Sequence, residues 1–434
     1  MLHPMRGLPT FHNQQSRHKT LKHRGKTVPN FGFDGSQVLS VRSLLQNRNF
    51  IGLLAANAIL GTAFPVQLIL GGLTGLMLTP SPALATLPAS VQTLAALVAA
   101  GPFSLFMGRV GRRAGFVLGA ILTLVGALAA TQALYLQNFV LLCAAHFLMG
   151  AGWASFQYIR FAAGEVVAPN SRPVAISLML TSLLAAAIAG PQLFIAAKDS
   201  LAPIPFAGAY AALVLVSILG LLPLAALRIP LPMQPTKENS QRRFSVLSAL
   251  RRRPIMRAVG IAAVSQGVMV FLMIPTPIAM IGCGFSDETA SDVIRWHIVA
   301  MFAPSFITGF LIQRFGAQSI AMVGLTAIVV AAGAASLGLS AAHFYGGLII
   351  LGLGWNFAFI GATTMLADAV SEEEKAAVQG ANDTVIALVS TICAFAAGFV
   401  IAGWGWAVLA LISGGIVLLF LAMMAFGRIP PQKI

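Results

Sequence analysis

Residues 139–162 read FVLLCAAHFLMGAGWASFQYIRFA, and residues 344–368 read FYGGLIILGLGWNFAFIGATTMLAD. Each is an apolar run of about the 20 residues that a helix rising 1.5 Å per residue needs to cross a ~30 Å hydrocarbon core. Each carries Gly-x-Gly-Trp near its centre, Gly150-Ala-Gly152-Trp153 in one and Gly352-Leu-Gly354-Trp355 in the other, 202 positions apart. A second pair of stretches keeps nearly the same spacing. Arg109-Val-Gly111-Arg112-Arg113 and Arg314-Phe-Gly316-Ala317, the latter preceded by Gly309, lie 205 apart. Two independent matches at almost one offset mark a duplicated unit.

Outward from these two runs, similar ones recur along most of the chain. Spans are expected at 49–73, 87–107, 114–136, 139–162, 174–196 and 206–227, then at 257–281, 294–313, 317–339, 344–368, 377–401 and 404–427. The expected organisation is a six-helix bundle over 49–228, a cytoplasmic central loop over 229–256 and a second six-helix bundle over 257–427. A basic cytoplasmic tail over 1–48 precedes them, and a short cytoplasmic tail over 428–434 follows. Composition agrees: 58% of the 434 residues are hydrophobic and 9% charged, too few charges for a water-facing surface, so the solvent is lipid. With the N-terminus inside and sides alternating, every one of the 27 Lys and Arg except Lys198 and Arg295 faces the cytoplasm. That asymmetry is what the positive-inside rule requires, and a count wrong by one helix would scramble it. The formal charge of +15 is thereby spread over orienting loops, which argues against a nucleic-acid partner. Cys143, Cys283 and Cys393 sit in apolar runs without metal-ligand or CxxC spacing and read as buried packing thiols.

Here the sequence resembles the major facilitator superfamily of secondary transporters, over residues 49 to 427. The family's loop between the second and third helices reads Gly, three residues, then Asp-Arg-x-Gly and two basic residues. Arg109, Gly111, Arg112 and Arg113 match it, with Gly108 in place of the Asp and Ser104 in place of the leading Gly. Gly309, Arg314 and Gly316 echo it in the second half, with Gln313 at the Asp position. The resemblance implies an all-α membrane protein of twelve transmembrane helices in two six-helix bundles related by a pseudo-two-fold axis. It also implies that this loop latches the halves together when the cavity faces outward, with Glu165 and Asp383 as partners for its arginines. Loss of the motif's Asp departs from the pattern and bears on the latch rather than the fold. The fourth-helix motif of proton-coupled members, Arg-x-x-x-Gly-x-Gly, appears as His146-Phe-Leu-Met-Gly150-Ala-Gly152. Of the fifth-helix exporter motif only Gly190-Pro191 survives, which weakens an efflux reading.

In such a fold the substrate sits near the midplane between the halves, and by resemblance helices 1, 4, 7 and 10 line that cavity. The expected substrate-binding residues on them are Asn57, Gln67, Trp153, Gln157, Tyr158, Arg160, Gln266, Trp355 and Asn356. A buried amide in lipid must find partners, so each of these is equally a candidate for helix-to-helix glue. Arg160 either reaches the cavity or snorkels to the interface. His146 and Asp383 are the proton-coupling candidates, against packing and latch roles respectively. Pro275 and Pro277 should interrupt the seventh helix.

No GxxxxGK[ST] phosphate loop, metal-ligand cluster or nucleophile–base set occurs, so neither an enzyme nor a cofactor is expected. The reading is alternating-access, proton-coupled uptake of a small solute across a bacterial inner membrane, with a monomer sufficient. Amides and aromatic rings suit a neutral aromatic solute, and the specific expectation is riboflavin or a similar vitamin. The rivals are a metabolite or multidrug exporter, separable by direction of flux, and a non-transporting receptor, separable by deleting the basic tail.

Overall fold

The computed structural model describes residues 44–168, 171–229, 246–371 and 374–426. The expected tail over 1–48 up to residue 43, that over 428–434 and most of the central loop therefore lie outside the described residues. Among those described, eleven helical segments are long and apolar enough to cross a bilayer. Ten cross once. We label them α1 (Arg48–Leu78), α2 (Pro82–Val110), α3 (Arg112–Tyr135), α4 (Phe139–Glu165), α5 (Val174–Ala197), α6 (Ala207–Ala226), α7 (Arg253–Gly282), α8 (Asp287–Phe315), α9 (Ala317–Ser336) and α10 (Ala341–Ala369). The eleventh segment runs 49 residues, which at 1.5 Å per residue is more than twice the ~30 Å core. Gly405, at φ 76° and ψ −178°, interrupts it. The parts before and after that glycine, 375–404 and 406–426, are α11 and α12, so twelve crossings are present in two groups of six.

The halves repeat each other in their packing as well as in sequence. At Gly150 a Cβ would run into the carbonyl oxygen of Gln92, and at Gly352 into that of His297. Gln92 and His297 are themselves 205 positions apart, the spacing of the two arginine loops. The two glycines thus let α4 approach α2, and α10 approach α8, at corresponding places. Gly111 and Gly316 turn the chain between α2 and α3 and between α8 and α9 at φ 104° and 85°, a conformation only glycine adopts cheaply.

Four helices are broken along their length. α1 breaks at Thr62, α4 at Gln157 and Tyr158, α7 at Ile274 and Pro275, and α8 at Ala303 and Pro304. The break in α7 is the expected one; proline removes a backbone donor and clashes with the preceding turn. α8 begins seven residues before the expected 294. Ser286 caps it by accepting from the Thr289 amide at 3.2 Å, and Asp287 and Glu288 complement the dipole of its first turn, so the polar start extends the helix beyond the apolar run.

The two ends of the bundle differ. We call the end that carries Gly111 and Gly316 the basic end. At the opposite end one apolar core runs through both halves, joining Leu70, Leu73 and Tyr210 to Met273, Ile294 and Ala394. There the Ser90 hydroxyl donates to the Ala394 carbonyl at 2.8 Å, from α2 to α11. Toward the basic end the cores separate, one around Phe50, Phe116 and Met179 and another around Ile255, Leu366 and Val378.

Candidate substrate site

Between the halves lies a cavity of about 440 Å³, of a size that holds a small organic molecule. Its walls come from α1, α2, α4 and α5 on one side and α7, α8, α10 and α11 on the other. Two aromatic stacks face into it. On the first half Phe64 lies against Trp153, ring centroids 4.5 Å apart and planes 18° from parallel. On the second, Trp355 lies against Phe359 at 4.9 Å and 18°, braced edge-on by Phe302. Aromatic faces arranged so offer large, low-entropy contact area to another flat ring.

Of the expected substrate residues, Asn57, Trp153, Gln157, Tyr158, Arg160, Gln266 and Trp355 lie on the cavity wall. Asn57 also ties α1 to α5, its Nδ2 donating to the Met179 carbonyl at 3.1 Å and to the Ser182 hydroxyl at 2.8 Å. The indole N–H of Trp355 donates to Gln266 Oε1 at 2.7 Å. The Tyr158 hydroxyl, at the break in α4, donates to the Ala100 carbonyl of α2 at 3.0 Å. Gln67 and Asn356 are not among the wall residues. Asn356 is spent between α10 and α8: its Nδ2 donates to the Met301 carbonyl and the Ser305 hydroxyl, and its Oδ1 accepts from Thr308.

Gln67 and His146 belong instead to a buried polar chain inside the first half. Gln92 Nε2 donates to Gln67 Oε1 at 3.0 Å, and Gln92 Oε1 meets His146 Nδ1 at 2.8 Å. His146 Nε2 lies 2.7 Å from the Tyr210 hydroxyl, which in turn lies 3.0 Å from that of Thr74. Polar contacts at hydrogen-bond distance run the length of the chain, as polar groups buried within lipid require, and the Thr74 hydroxyl donates to the Leu70 carbonyl at 2.6 Å. Gln92 alone of these reaches the cavity wall, so His146 stands one layer behind it. In the second half the matching crossing is simpler. His297, fully buried on α8, donates through Nδ1 to the Leu348 carbonyl at 2.7 Å, and its Nε2 has no partner among the described residues. Gln92 and His297 escaped the sequence reading because helices 2 and 8 were not counted as cavity helices. The available signal was two polar side chains in apolar runs at the repeat offset.

Two charges stand on the wall, Arg160 from α4 and Asp383 from α11. The Arg160 guanidinium sits 4.9 Å from the centre of the Phe161 ring, and Asp383 accepts from Asn382 at 3.2 Å. Each feels the other's charge across the cavity without a direct ion pair. The expected latch divides differently. Arg112 grips Glu165 with two hydrogen bonds, 2.5 and 3.2 Å, inside the first half. Asp383, the other expected partner, faces the cavity rather than the arginine loop. Arg109, Arg113 and Arg314 are exposed at the basic end. Cys283 corrects the expectation of buried thiols: it ends α7 in an exposed position, whereas Cys143 and Cys393 are half-buried. Among the described residues no cluster of His, Cys, Asp and Glu could hold a metal.

A family model, Major Facilitator Superfamily, matches residues 49–381 and, in a second match, 284–434. This chain belongs to the major facilitator superfamily. As a superfamily member it is a multi-pass membrane transporter that takes a small-molecule substrate within the membrane. Riboflavin transporter RfnT of Brucella anthropi is 36% identical over 359 residues, covering 83% of this chain and 90% of that protein. Among solved structures, the nucleoside transporter NupG superposes with a TM-score of 0.69 at 13% identity, covering 88% of this chain and 99% of that one. The xylose transporter XylE from E. coli, in a partially occluded inward open conformation, gives 0.64 at 12%, covering 90% and 100%. At such identities the structural likenesses speak for the fold alone.

Proposed function

We propose that this transporter carries a flat, neutral aromatic solute into the cell by alternating access, and that riboflavin is the substrate. The observation that carries the reading is the pair of tryptophan–phenylalanine stacks on facing walls of the central cavity. A planar ring system entering between them gains apolar burial and stacking from both halves at once, which couples binding to the approach of the halves. The likeness to RfnT supports the same choice of ring. Charge placement in the sequence supports a cytoplasmic basic end and cytoplasmic termini in a bacterial inner membrane, with one chain sufficient for transport. On that orientation the state described here faces inward.

Proton coupling is assigned to Asp383, an acid on the cavity wall whose charge a proton can cancel, with Arg160 as its counter-charge. His146, enclosed on both ring nitrogens, then serves to hold Gln92 in place.

Uptake of labelled riboflavin by cells that cannot make it, with and without this chain, tests the reading. Accumulation that depends on the chain and collapses with a protonophore is expected. Asp383→Asn should abolish the protonophore-sensitive part while leaving exchange down a gradient. Equal accumulation with and without the chain would remove riboflavin as the substrate, and lower accumulation in its presence would make it an exporter.

A further inference from the structure

The hydrogen bonds that hold two wall amides fix which of their atoms remain for a ligand. Gln266 faces the indole N–H of Trp355, which can only donate, so the atom at 2.7 Å must be the amide oxygen. The Nε2 of Gln266 has no partner among the described residues and is left on the cavity wall as a donor. Asn57 is the converse. Its amide nitrogen faces the Met179 carbonyl, which can only accept, and the Ser182 hydroxyl, whose own hydrogen is given to that same carbonyl at 2.8 Å. Both amide hydrogens of Asn57 are therefore consumed, and its Oδ1 remains as an acceptor. Neither assignment can be reversed by rotating an amide half a turn, because each reversal would set donor against donor or acceptor against acceptor.

We infer that Asn57 and Gln266 read the polar edge of the ring, and that the substrate is a flat heterocycle carrying both a ring N–H and a ring carbonyl: a cyclic imide or lactam. Gln266 donates to the carbonyl and Asn57 accepts from the N–H, while the stacks of Trp153 and Trp355 hold the faces. The two amides stand on α1 and α7, the leading helices of the two halves, and both lie on the wall of the one cavity. A purely hydrocarbon aromatic fills the slot but leaves both the donor and the acceptor unpaired, and an N-alkylated ring leaves the acceptor unpaired; each loses affinity for that reason. The inference rests on the proposed aromatic substrate and specifies its chemistry.

Quenching of tryptophan fluorescence in the purified full-length protein tests it, with riboflavin and its 3-methyl derivative, in which the ring N–H is capped, as probes. Wild-type protein should bind riboflavin about tenfold or more tightly than the methylated form, the loss expected for one unmet buried hydrogen bond. Gln266→Glu keeps an oxygen for Trp355 and replaces the free donor by an acceptor, and should weaken riboflavin by a similar factor. Asn57→Leu should bind the two flavins equally. Equal wild-type affinity for both, or a Gln266→Glu protein within twofold of wild type for riboflavin, would overturn the edge-reading role while leaving the aromatic slot standing. Absence of quenching by either flavin would overturn both. The comparison of ligands on wild-type protein decides the matter even where a variant does not fold.

Discussion

At the end of the molecule that carries Lys198, that lysine makes ionic contacts from one half to the other; at the basic end the Arg112 and Arg252 pairs stay within a half. Lys198, just beyond α5, reaches Asp287 at 3.1 Å and Glu288 at 2.8 Å on the first turn of α8, as well as its neighbour Asp199 at 3.0 Å. At the basic end Arg112 pairs with Glu165 inside the first half, and Arg252 with Glu374 at 2.6 Å inside the second. The apolar cores repeat the contrast, continuous across the halves at one end and divided at the other. On the proposed alternating access, charges and core together describe one of its two states. The crossing contacts must break for the other state to form, and those within a half need not.

That difference ranks the mutations. Lys198→Glu has the largest expected effect, because it sets four acids together where a cation now joins two halves. Loss of the bridge and the new repulsion should shift the balance of states by ~1–3 kcal/mol, about five- to 150-fold. Faster labelling of a cysteine placed on the opposite-end face of the cavity would report it; an unchanged rate would show that the bridge does not hold this state. Arg112→Ala is next. Its partner Glu165 is half exposed, so fold stability should fall by about 1 kcal/mol at most, with no change in that labelling rate. A labelling change as large as that of Lys198→Glu would mean that this pair also senses the state. Smallest is Arg252→Ala, which should leave thermal stability at neutral pH within error.

The two ends should also answer pH differently. Glu288, followed by Asp199 and Asp287, holds the Lys198 ammonium above its ordinary range. A raised lysine stabilises fully below its ordinary pKa of about 10.4 and loses that contribution only as pH rises through the higher folded value. Arg252 holds the Glu374 carboxyl below its ordinary range. That contribution is present above about pH 4.3 and disappears as pH falls through the lower folded value. Neither lysine nor glutamate titrates near neutrality, so the labelling rate at the Lys198 end, divided by the thiolate fraction of the probe cysteine, should stay flat between about pH 6 and 9. A step in that window would point to another group in control.

Much of this was legible in the sequence, for physical reasons that also mark where legibility stopped. Lipid forces long apolar helices, so the twelve crossings and the twofold repeat were visible before any coordinates. Trp153 and Trp355 were expected at the cavity because the family resemblance puts helices 4 and 10 around it, and both lie on its wall. Which amides face the cavity was not visible. Gln67, Asn356 and Gln266 are all amides on apolar helices, and only three-dimensional packing separates the two that lie off the cavity wall from the one that stands on it. The helix break at Gln157, with no proline near it, left no sequence signal either, whereas that at Thr62 lies one turn before Pro65.

The opposed movement of the two ends is the central claim, and paired spin labels test it most directly. One pair would be placed at 110 and 315, where α2 and α8 end at the basic end. The other would be placed at 135 and 337, at the opposite end, where α3 stops and just beyond α9. All four positions are exposed. With saturating riboflavin the first distance should shorten in a growing fraction of molecules while the second lengthens in the same fraction. Distances that rise and fall together, or that do not change once binding is established, would contradict alternating access through this cavity.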